Sequence, residues 1–226
     1  MSVSVVVPAG GSGRRFGGVP KAFLPIAGEP MLLHALRPFL AHRRVTSVVI
    51  ALRAEDAAKP PGWLTRLDSR VRLVTGGAER GDSVRAGLAA VPVDANLILI
   101  HDAARPLVTT GVIDLAIESA DSGNCAVIGV PVTDTLQHVD EANRILSTPE
   151  RRWLWHAQTP QAFPRDTIVN AYWRAAQEAV SATDDASLVL RYGGSVVMLQ
   201  GDPENLKITT QTDIVIAEAL LRARSS

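Results

Sequence analysis

A glycine-rich loop followed by basic residues is the part of this sequence most clearly suited to chemistry. Gly10, Gly11 and Gly13 come directly after a short apolar run, and Arg15 and Lys21 follow with no acidic residue near them. The backbone amides of such a loop can turn inward and hold phosphate oxygens. The segment is therefore expected to bind an anion that carries phosphate.

Two familiar phosphate-binding loops are excluded by residues at fixed positions. A dinucleotide-binding fingerprint requires Gly or Ala three residues after Gly13, where Phe16 stands. A Walker A loop requires Lys and then Ser or Thr after Gly18, where Val19 and Pro20 stand. The alternative left open at this point is a plain glycine turn with solvated arginines beside it.

The stretches PAGGSGRR at 8–15 and PK at 20–21 resemble the signature of nucleotidyltransferases that activate sugars and sugar-like alcohols, PAAGxGxR followed by PK. The resemblance implies that an acceptor phosphate attacks the α-phosphorus of a nucleoside triphosphate and releases pyrophosphate. Arg15, Lys21 and Mg²⁺, held mainly by the triphosphate, would neutralise the charge that builds on the five-coordinate phosphorus. Gly10 replaces the second alanine of the pattern, a change that should spare backbone contacts.

Six short motifs further along the chain narrow the resemblance. They read GGAERGDSV at 76–84, HDAARP at 101–106, TDT at 133–135, TPQ at 159–161, TDDAS at 183–187 and KIT at 207–209. In this order and spacing the chain resembles, over essentially its whole length, the 2-C-methyl-D-erythritol 4-phosphate cytidylyltransferases of the non-mevalonate isoprenoid pathway. HDAARP and the late motifs are specific, because they are not general features of nucleotidyltransferases.

The resemblance implies roles for the residues that match the family's motifs. Loop amides would hold the triphosphate, and Gly77 and Ser83, with Arg80 nearby, would face the cytosine of CTP. Arg15 and Lys21 match the positions that stabilise the transition state. The implied nucleotide-binding residues are Pro8, Ala9, Gly10, Gly11, Gly13, Gly77, Arg80 and Ser83.

The acceptor side follows from the same resemblance. Arg151 and Lys207 match the positions that orient the methylerythritol phosphate. Because the arm of this family crosses to a partner subunit, the resemblance implies a homodimer in which Arg151 serves the neighbouring site, with Thr135 and Arg105 as further candidates. The implied acceptor contacts are Asp102, Arg105, Thr135 and Thr159.

Several alternatives stay open from the sequence. Asp102 could cap a turn, and Arg105 could pair with a nearby carboxylate. Arg152 follows Arg151, so that assignment could shift by one, although counting back from the LWHA run at 154–157 favours Arg151. Ribitol 5-phosphate is the alternative acceptor, since enzymes for that substrate resemble this family in fold and loop; HDAARP and TDDAS favour methylerythritol phosphate.

The histidines give no sign of a metal site. None has the spacing of a metal-ligand pair, so no metal ligand is predicted and none of the histidines is assigned to catalysis. They are His34, His42, His101, His138 and His156.

The elements that position the motifs are short apolar strands alternating with helices. This pattern predicts an α/β fold, a doubly wound and mostly parallel sheet, Rossmann-like, with ligands at the carboxyl ends of its strands. Helix caps are expected at Asp82-Ser83 and at Thr183-Asp184. Predicted strands are 3–7, 45–52, 71–74, 97–100, 126–130 and 195–199, and predicted helices are 31–42, 83–91, 112–120, 167–179, 185–192 and 213–223.

Residues 132–159 depart from this alternation. They are polar, favour β-structure and contain turn residues, so their strands are expected to be too exposed for the central sheet. The segment predicts a protruding β-arm within a single domain, 1–226. A two-stranded ribbon is marginal by itself, so the arm is expected to pack against a second subunit.

Composition limits the other partners. Lys and Arg total 23 and Asp and Glu total 23, so no global field attracts nucleic acid or an acidic membrane. No stretch approaches the roughly 18 apolar residues of a membrane helix. The single cysteine, Cys125, cannot form an internal disulfide. A cytoplasmic protein is expected.

Overall fold

A computed structural model describes residues 1–11, 13, 16, 18–181 and 184–224 of the 226-residue chain. The strands are β1 (Val3–Pro8), β2 (Pro25–Ile26), β3 (Glu29–Pro30), β4 (Val45–Leu52), β5 (Val71–Thr75), β6 (Leu97–Ile100), β7 (Cys125–Pro131), β8 (His138–Val139), β9 (Ile145–Ser147), β10 (Trp155–Pro164) and β11 (Val196–Gln200). The helices are α1 (Met31–Ala41), α2 (Ala54–Ala58), α3 (Gly62–Thr65), α4 (Arg80–Ala90), α5 (Thr110–Asp121), α6 (Arg165–Gln177), α7 (Asp185–Arg191) and α8 (Gln211–Arg224). Two short 3-10 turns cover Lys21–Phe23 and Arg151–Trp153.

Seven strands form one twisted sheet in the order β11-β7-β10-β6-β1-β4-β5. Only β10 runs antiparallel to its neighbours; the other pairs are parallel. The six apolar strands expected from the sequence all lie in this sheet. The predicted class, a mostly parallel α/β sheet, is confirmed.

Helices cover both faces of the sheet because the side chains of each strand alternate between them. Val5 on β1 packs in one core cluster with Phe39 of α1 and Ile113 of α5. Its neighbour Val6 points to the opposite face and packs with Val84 of α4. All of these side chains are fully buried. The sheet is therefore doubly wound, as the alternation predicts.

Strand β10 was not among the predicted strands, and it corrects the expected extent of the arm. Trp155 pairs with Pro131 of β7, and Gln161 pairs with residues of both β6 and β7, so residues 155–159 belong to the central sheet. Gln158 and Thr159 are buried although they are polar. The expectation that this strand is exposed was wrong. Apolar runs do not identify a strand whose polar side chains are buried and hydrogen-bonded inside the protein.

The remaining part of the arm is a hairpin formed by β8 and β9. Its turn is closed by Asp140, whose carboxylate accepts the backbone N–H groups of Ala142 and Arg144, each at 2.9 Å. Ile145 is 64% exposed, which leaves the hairpin with apolar surface open to solvent. An antiparallel hairpin lies where the arm is expected, and the arm's packing against a second subunit stays a prediction.

Helix ends agree only in part with the sequence. Asp184 caps α7 by accepting the N–H of Ser187 at 3.0 Å, as expected, while Thr183 lies outside the described residues. Helix α4 starts earlier than predicted, and its N-cap is Glu79. The predicted cap, Asp82, lies inside the helix, where its carboxylate accepts the backbone N–H of Glu79. No helix in the described ranges is long and apolar enough to cross a membrane.

Candidate active site

A cavity of about 380 Å³ opens at the carboxyl ends of β1 and β6, the edge where doubly wound sheets bind ligands. Its walls come from the loop after β1, the first turn of α4 and the segment after β6. Predicted site residues in the lining are Pro8, Ala9, Gly10, Gly11, Lys21, Gly77, Arg80, Ser83, Asp102 and Lys207.

The loop after β1 folds back on itself to bring a lysine beside its glycines. Gly11 accepts the backbone N–H of Lys21 at 3.2 Å. Gly13 has φ +61°, and a Cβ at this position would lie 1.7 Å from the carbonyl oxygen of Val19, so only glycine fits. The predicted cation Arg15 lies outside the described residues, as do Ser12, Arg14 and Gly17.

The first turn of α4 forms the opposite wall. The Ser83 hydroxyl accepts the N–H of Gly77 at 3.2 Å and donates to the carbonyl of Glu79 at 3.3 Å. A Cβ on Gly77 would lie 2.1 Å from that of Asp82, so the close turn requires glycine. The N-terminus of a helix favours negative charge, so this wall suits an anion.

A chain of ion pairs joins this wall to the segment after β6. Arg80 donates from Nε to Asp102 at 2.8 Å and from its terminal nitrogens to both oxygens of Asp185, at 3.1 and 2.7 Å. The second oxygen of Asp102 meets Lys207 Nζ at 2.7 Å. Tyr172 donates its hydroxyl to Asp185 at 2.5 Å. Two carboxylates and two cations therefore form a balanced network.

The network keeps its members charged in spite of burial. Burial by itself favours the neutral form of Asp102, but the charges of Arg80 and Lys207 outweigh it and hold the pKa of that carboxyl well below its usual range. Burial likewise opposes the charge on Arg80, and Asp185 and Asp102 outweigh it and raise the pKa of the guanidinium. Burial raises the pKa of the Tyr172 hydroxyl, and the Asp185 charge raises it further, so it stays a proton donor.

Arg105 and Thr159, two implied acceptor contacts, lie behind the cavity wall. Arg105 donates to the backbone carbonyls of Asn205 at 2.7 Å and Ala157 at 3.0 Å. The Thr159 hydroxyl accepts the backbone N–H of Asp102 at 3.1 Å. Both residues are buried, and neither is among the described residues that line the cavity. The Thr159 hydroxyl and the terminal nitrogens of Arg105 are bonded inside the fold, while the buried Nε of Arg105 has no hydrogen-bond partner among the described residues.

The arm carries the other implied acceptor contacts. Arg151 is exposed and donates to the carbonyl of Thr133 at 2.5 Å, within its own arm. Thr135 is exposed as well. Neither belongs to the described lining of the cavity. Among the described residues, the lining therefore joins the residues predicted to bind the nucleotide, except Gly13, with Asp102 and Lys207, and it leaves out the arm residues.

Sequence reasoning missed the anchors of the network. Asp185 is fully buried and binds Arg80, yet the sequence indicated it only as part of the TDDAS motif at the start of a predicted helix. Tyr172 was counted only as one position of a helical pattern. The available signal was the pair of adjacent acids in TDDAS, because two carboxylates at a helix start are more than one cap requires.

A model of the family described as IspD, 2-C-methyl-D-erythritol 4-phosphate cytidylyltransferase, matches residues 3–223. The chain belongs to this family. It is 44% identical over 220 residues to the family's enzyme from Symbiobacterium thermophilum, covering 97% of this chain and 92% of that one. The Saccharopolyspora erythraea enzyme is 45% identical over 226 residues, covering 98% and 100%. The resemblance inferred from the motifs is confirmed.

Solved structures of the cytidylyltransferase family share the fold. One match is the crystal structure of 2-C-methyl-D-erythritol 4-phosphate cytidylyltransferase from Thermus thermophilus. Its TM-score is 0.83 at 35% identity, and the match covers 98% of this chain and 100% of that one. The 4-diphosphocytidyl-2C-methyl-D-erythritol synthase from Anaerococcus prevotii matches with a TM-score of 0.87 at 26% identity, covering 98% of this chain and 96% of that one. Cavity, loop and network therefore lie in a nucleotidyltransferase of this family.

The described lining of the cavity offers few protein ligands to a metal ion. Within the described ranges, no cluster of three or more His, Cys, Asp or Glu side chains could hold a metal. Two carboxylates line the cavity, and both oxygens of Asp102 already meet cations. A triphosphate supplies the oxygen ligands that Mg²⁺ prefers, so such an ion needs few ligands from the protein.

Proposed function

We propose that this protein transfers the cytidylyl group of CTP to 2-C-methyl-D-erythritol 4-phosphate, giving 4-diphosphocytidyl-2-C-methyl-D-erythritol and pyrophosphate. The observation that carries the proposal is one cavity, in a chain of this family, that joins the glycine-rich loop and Lys21 to Asp102 and Lys207. The loop side suits a triphosphate, and the Lys207 side suits a second phosphate.

The reaction is an in-line displacement at phosphorus. An oxygen of the acceptor phosphate forms a bond to the α-phosphorus, and the bond from that phosphorus to the bridging oxygen of the β-phosphate breaks, so the electron pair leaves with pyrophosphate. The attacking phosphate is already ionised, and no base has to take a proton. The protein's task is to hold two anions in line, which loop amides and Lys21 perform by fixed positive charge.

The network of Arg80, Asp102 and Lys207 gives this task its geometry. Lys207 is held at 2.7 Å from Asp102, which fixes the direction from which it can meet the acceptor phosphate. Arg80 is held by two carboxylates, so it offers the nucleotide a fixed position instead of a mobile charge. Fixed donors cost no reorganisation during the reaction, and this is the main source of electrostatic catalysis.

Mg²⁺ is proposed as the cofactor, held mainly by the triphosphate. When bound, it neutralises charge on the phosphates and on the departing pyrophosphate. Asp102 and Glu79 are the carboxylates of the described lining, and because both oxygens of Asp102 already meet cations, Glu79 is the protein group better placed to contribute.

A homodimer with shared sites is proposed from the arm. The apolar side chains Ile145, Leu146 and Trp153 are 64, 60 and 71% exposed, which is unfavourable for a hairpin left in water. A partner that covered them would also give Arg151 and Thr135 a cavity to serve. We further propose a cytoplasmic location, in keeping with the single unpaired cysteine, Cys125.

The decisive experiment supplies purified protein with CTP, Mg²⁺ and one acceptor at a time, and measures release of pyrophosphate. Turnover is expected with 2-C-methyl-D-erythritol 4-phosphate. Ribitol 5-phosphate is the acceptor that the family comparisons do not favour, and turnover with it alone would overturn the assignment. A Lys21→Ala preparation, purified in parallel, controls for a contaminating enzyme.

A further inference from the structure

His101 is a fully buried ionisable group that the proposed reaction does not use. It immediately precedes Asp102 at the end of β6, and its ring packs against Phe39 with centroids 4.9 Å apart. Burial lowers its pKa to about 4, so the ring is neutral at physiological pH. A neutral imidazole has one donor and one acceptor nitrogen, and both find partners here.

The hydrogen bonds around His101 fix which nitrogen carries the proton. Nε2 lies 3.1 Å from the backbone carbonyl of Arg105, which can only accept, so Nε2 holds the hydrogen. Nδ1 must then accept, and it lies 3.0 Å from the Thr159 hydroxyl. That hydroxyl already accepts the backbone N–H of Asp102, and its own hydrogen is free to go to Nδ1. Each of these hydrogen bonds therefore has one donor and one acceptor that agree with the others.

These bonds tie both ends of the segment after β6 to the neighbouring strand. At one end, the N–H of Asp102 donates to the hydroxyl of Thr159 on β10. At the other end, the carbonyl of Arg105 accepts from the imidazole of His101. Arg105 then reaches the carbonyls of Ala157 on β10 and of Asn205. The amide of Asn205 closes the circuit by donating to the Thr159 carbonyl at 2.9 Å.

The same circuit places Lys207. Asn205 lies two residues before it, and Ile208, the residue after it, donates its backbone N–H to Ala104 at 2.8 Å. The lysine is thus held on both sides by the segment that carries Asp102. Its ammonium reaches the carboxylate of Asp102 from this fixed backbone.

From this arrangement we infer that His101, Thr159 and Arg105 form a buried hub that positions Asp102 and Lys207. His101 is the positioning residue at its centre, in the neutral form with hydrogen on Nε2. Thr159 and Arg105 act on this position through it and through the backbone. The functional consequence rests on the proposed cytidylyl transfer; the hub itself is a property of the free protein.

The first test reads the imidazole directly. Nitrogen NMR of isotope-labelled free protein at neutral pH is expected to show His101 as the Nε2–H tautomer, assigned by loss of its signals in His101→Gln. A ring protonated on Nδ1 would overturn the hub. In Thr159→Val, the chemical shift of Nδ1 is expected to move to the value of an imidazole nitrogen that receives no hydrogen bond. An unchanged chemical shift would contradict the bond to Thr159.

The second test separates positioning from contact with the acceptor. Thr159→Val keeps the side-chain shape and loses the hydroxyl, while Thr159→Ser keeps the hydroxyl. We expect Thr159→Val to lower kcat about tenfold and to weaken CTP binding measured without acceptor, because Asp102 also holds Arg80. Thr159→Ser should recover most of that loss. A rise in the acceptor KM alone, with CTP binding and kcat unchanged, would mean that the hydroxyl touches substrate and would overturn the inference.

The two proposals fail in different ways. A protein that releases no pyrophosphate with either acceptor would sink the proposed function, while the tautomer of the free protein would still decide the hub. An active enzyme with the opposite tautomer would sink the hub alone.

Discussion

The cavity wall and the arm are built on opposite principles. In the wall, Asp102 and Asp185 are buried and each meets two partners, so position and charge are set before any ligand arrives. In the arm, Trp153 is 71% exposed and Arg151 bonds only a carbonyl of its own segment among the contacts that the structure describes. In the homodimer proposed above, one subunit would prepare the nucleotide side alone, and the arm would act in the site of a partner.

The largest effect is expected at the cavity. Lys21→Ala should lower kcat about 10²- to 10³-fold, because it removes one preorganised charge from the triphosphate side. Its control is Lys59→Ala, an exposed lysine after α2 that is not part of the lining. Pyrophosphate release measures both variants, and circular dichroism checks folding. Near-normal turnover in Lys21→Ala would break the assignment of the loop.

The stability of the two regions should differ as their burial does. Asp185→Asn leaves Arg80 half paired in a buried site and is expected to cost about 3 kcal/mol of the free energy of unfolding. Glu150→Gln removes an arm carboxylate whose ion pair with Arg152 is exposed, and should leave the urea midpoint unchanged. Equal urea midpoints for both variants would show that the network does not stabilise the fold.

The buried hub behind the cavity wall should be sensitive to acid. The folded pKa of His101 is about 4 against an unfolded value near 6.5, so its neutral form stabilises the fold above pH 6.5, and this contribution of about 3 kcal/mol is lost as pH falls toward 4. Urea unfolding of wild type and His101→Gln between these pH values isolates the effect. The slope of stability with pH should be flatter in the variant; parallel curves would refute the neutral, buried imidazole.

A smaller effect is expected in the arm, where two adjacent arginines provide a matched pair. Arg151→Ala should raise the acceptor KM about tenfold, the loss expected for one charge-assisted hydrogen bond. Arg152→Ala should change it less than about twofold, since its partner is the exposed Glu150. Steady-state kinetics with varied acceptor compare them. The reverse order would shift the functional arginine by one residue.

The finest distinction concerns sharing between subunits. At low acceptor concentration, where the Lys21→Ala and Arg151→Ala proteins are both impaired, subunit exchange should raise activity to about a quarter of wild type or more. Random mixing makes half of the dimers mixed, and each mixed dimer has one intact site. Pyrophosphate release before and after exchange measures the gain. Exchange without any recovery would place Arg151 and Lys21 in the same subunit's site.

Sequence patterns predicted most of the fold but only part of how the site residues are connected. Apolar runs identify strands well, and the six predicted strands are all present; β10 escaped because Gln158, Thr159 and Gln161 are polar side chains satisfied inside the protein. The motifs pointed to Arg80, Asp102 and Lys207, but no motif shows that these three are joined, or that Asp185 anchors them. Such pairings depend on side chains distant along the chain.

By itself, the sequence determined the α/β class, the membership of the cytidylyltransferase family and the loop that ends β1, because these depend on local periodicity and on residues close together in the chain. Only the tertiary structure decided that Arg105 and Thr159 face inward, that His101 lies between the Thr159 hydroxyl and the Arg105 carbonyl, and that Asp102 is shared between two cations. The physical reason is that a buried polar group must find its partner wherever the folded chain brings one, and that place is set by packing across the sheet.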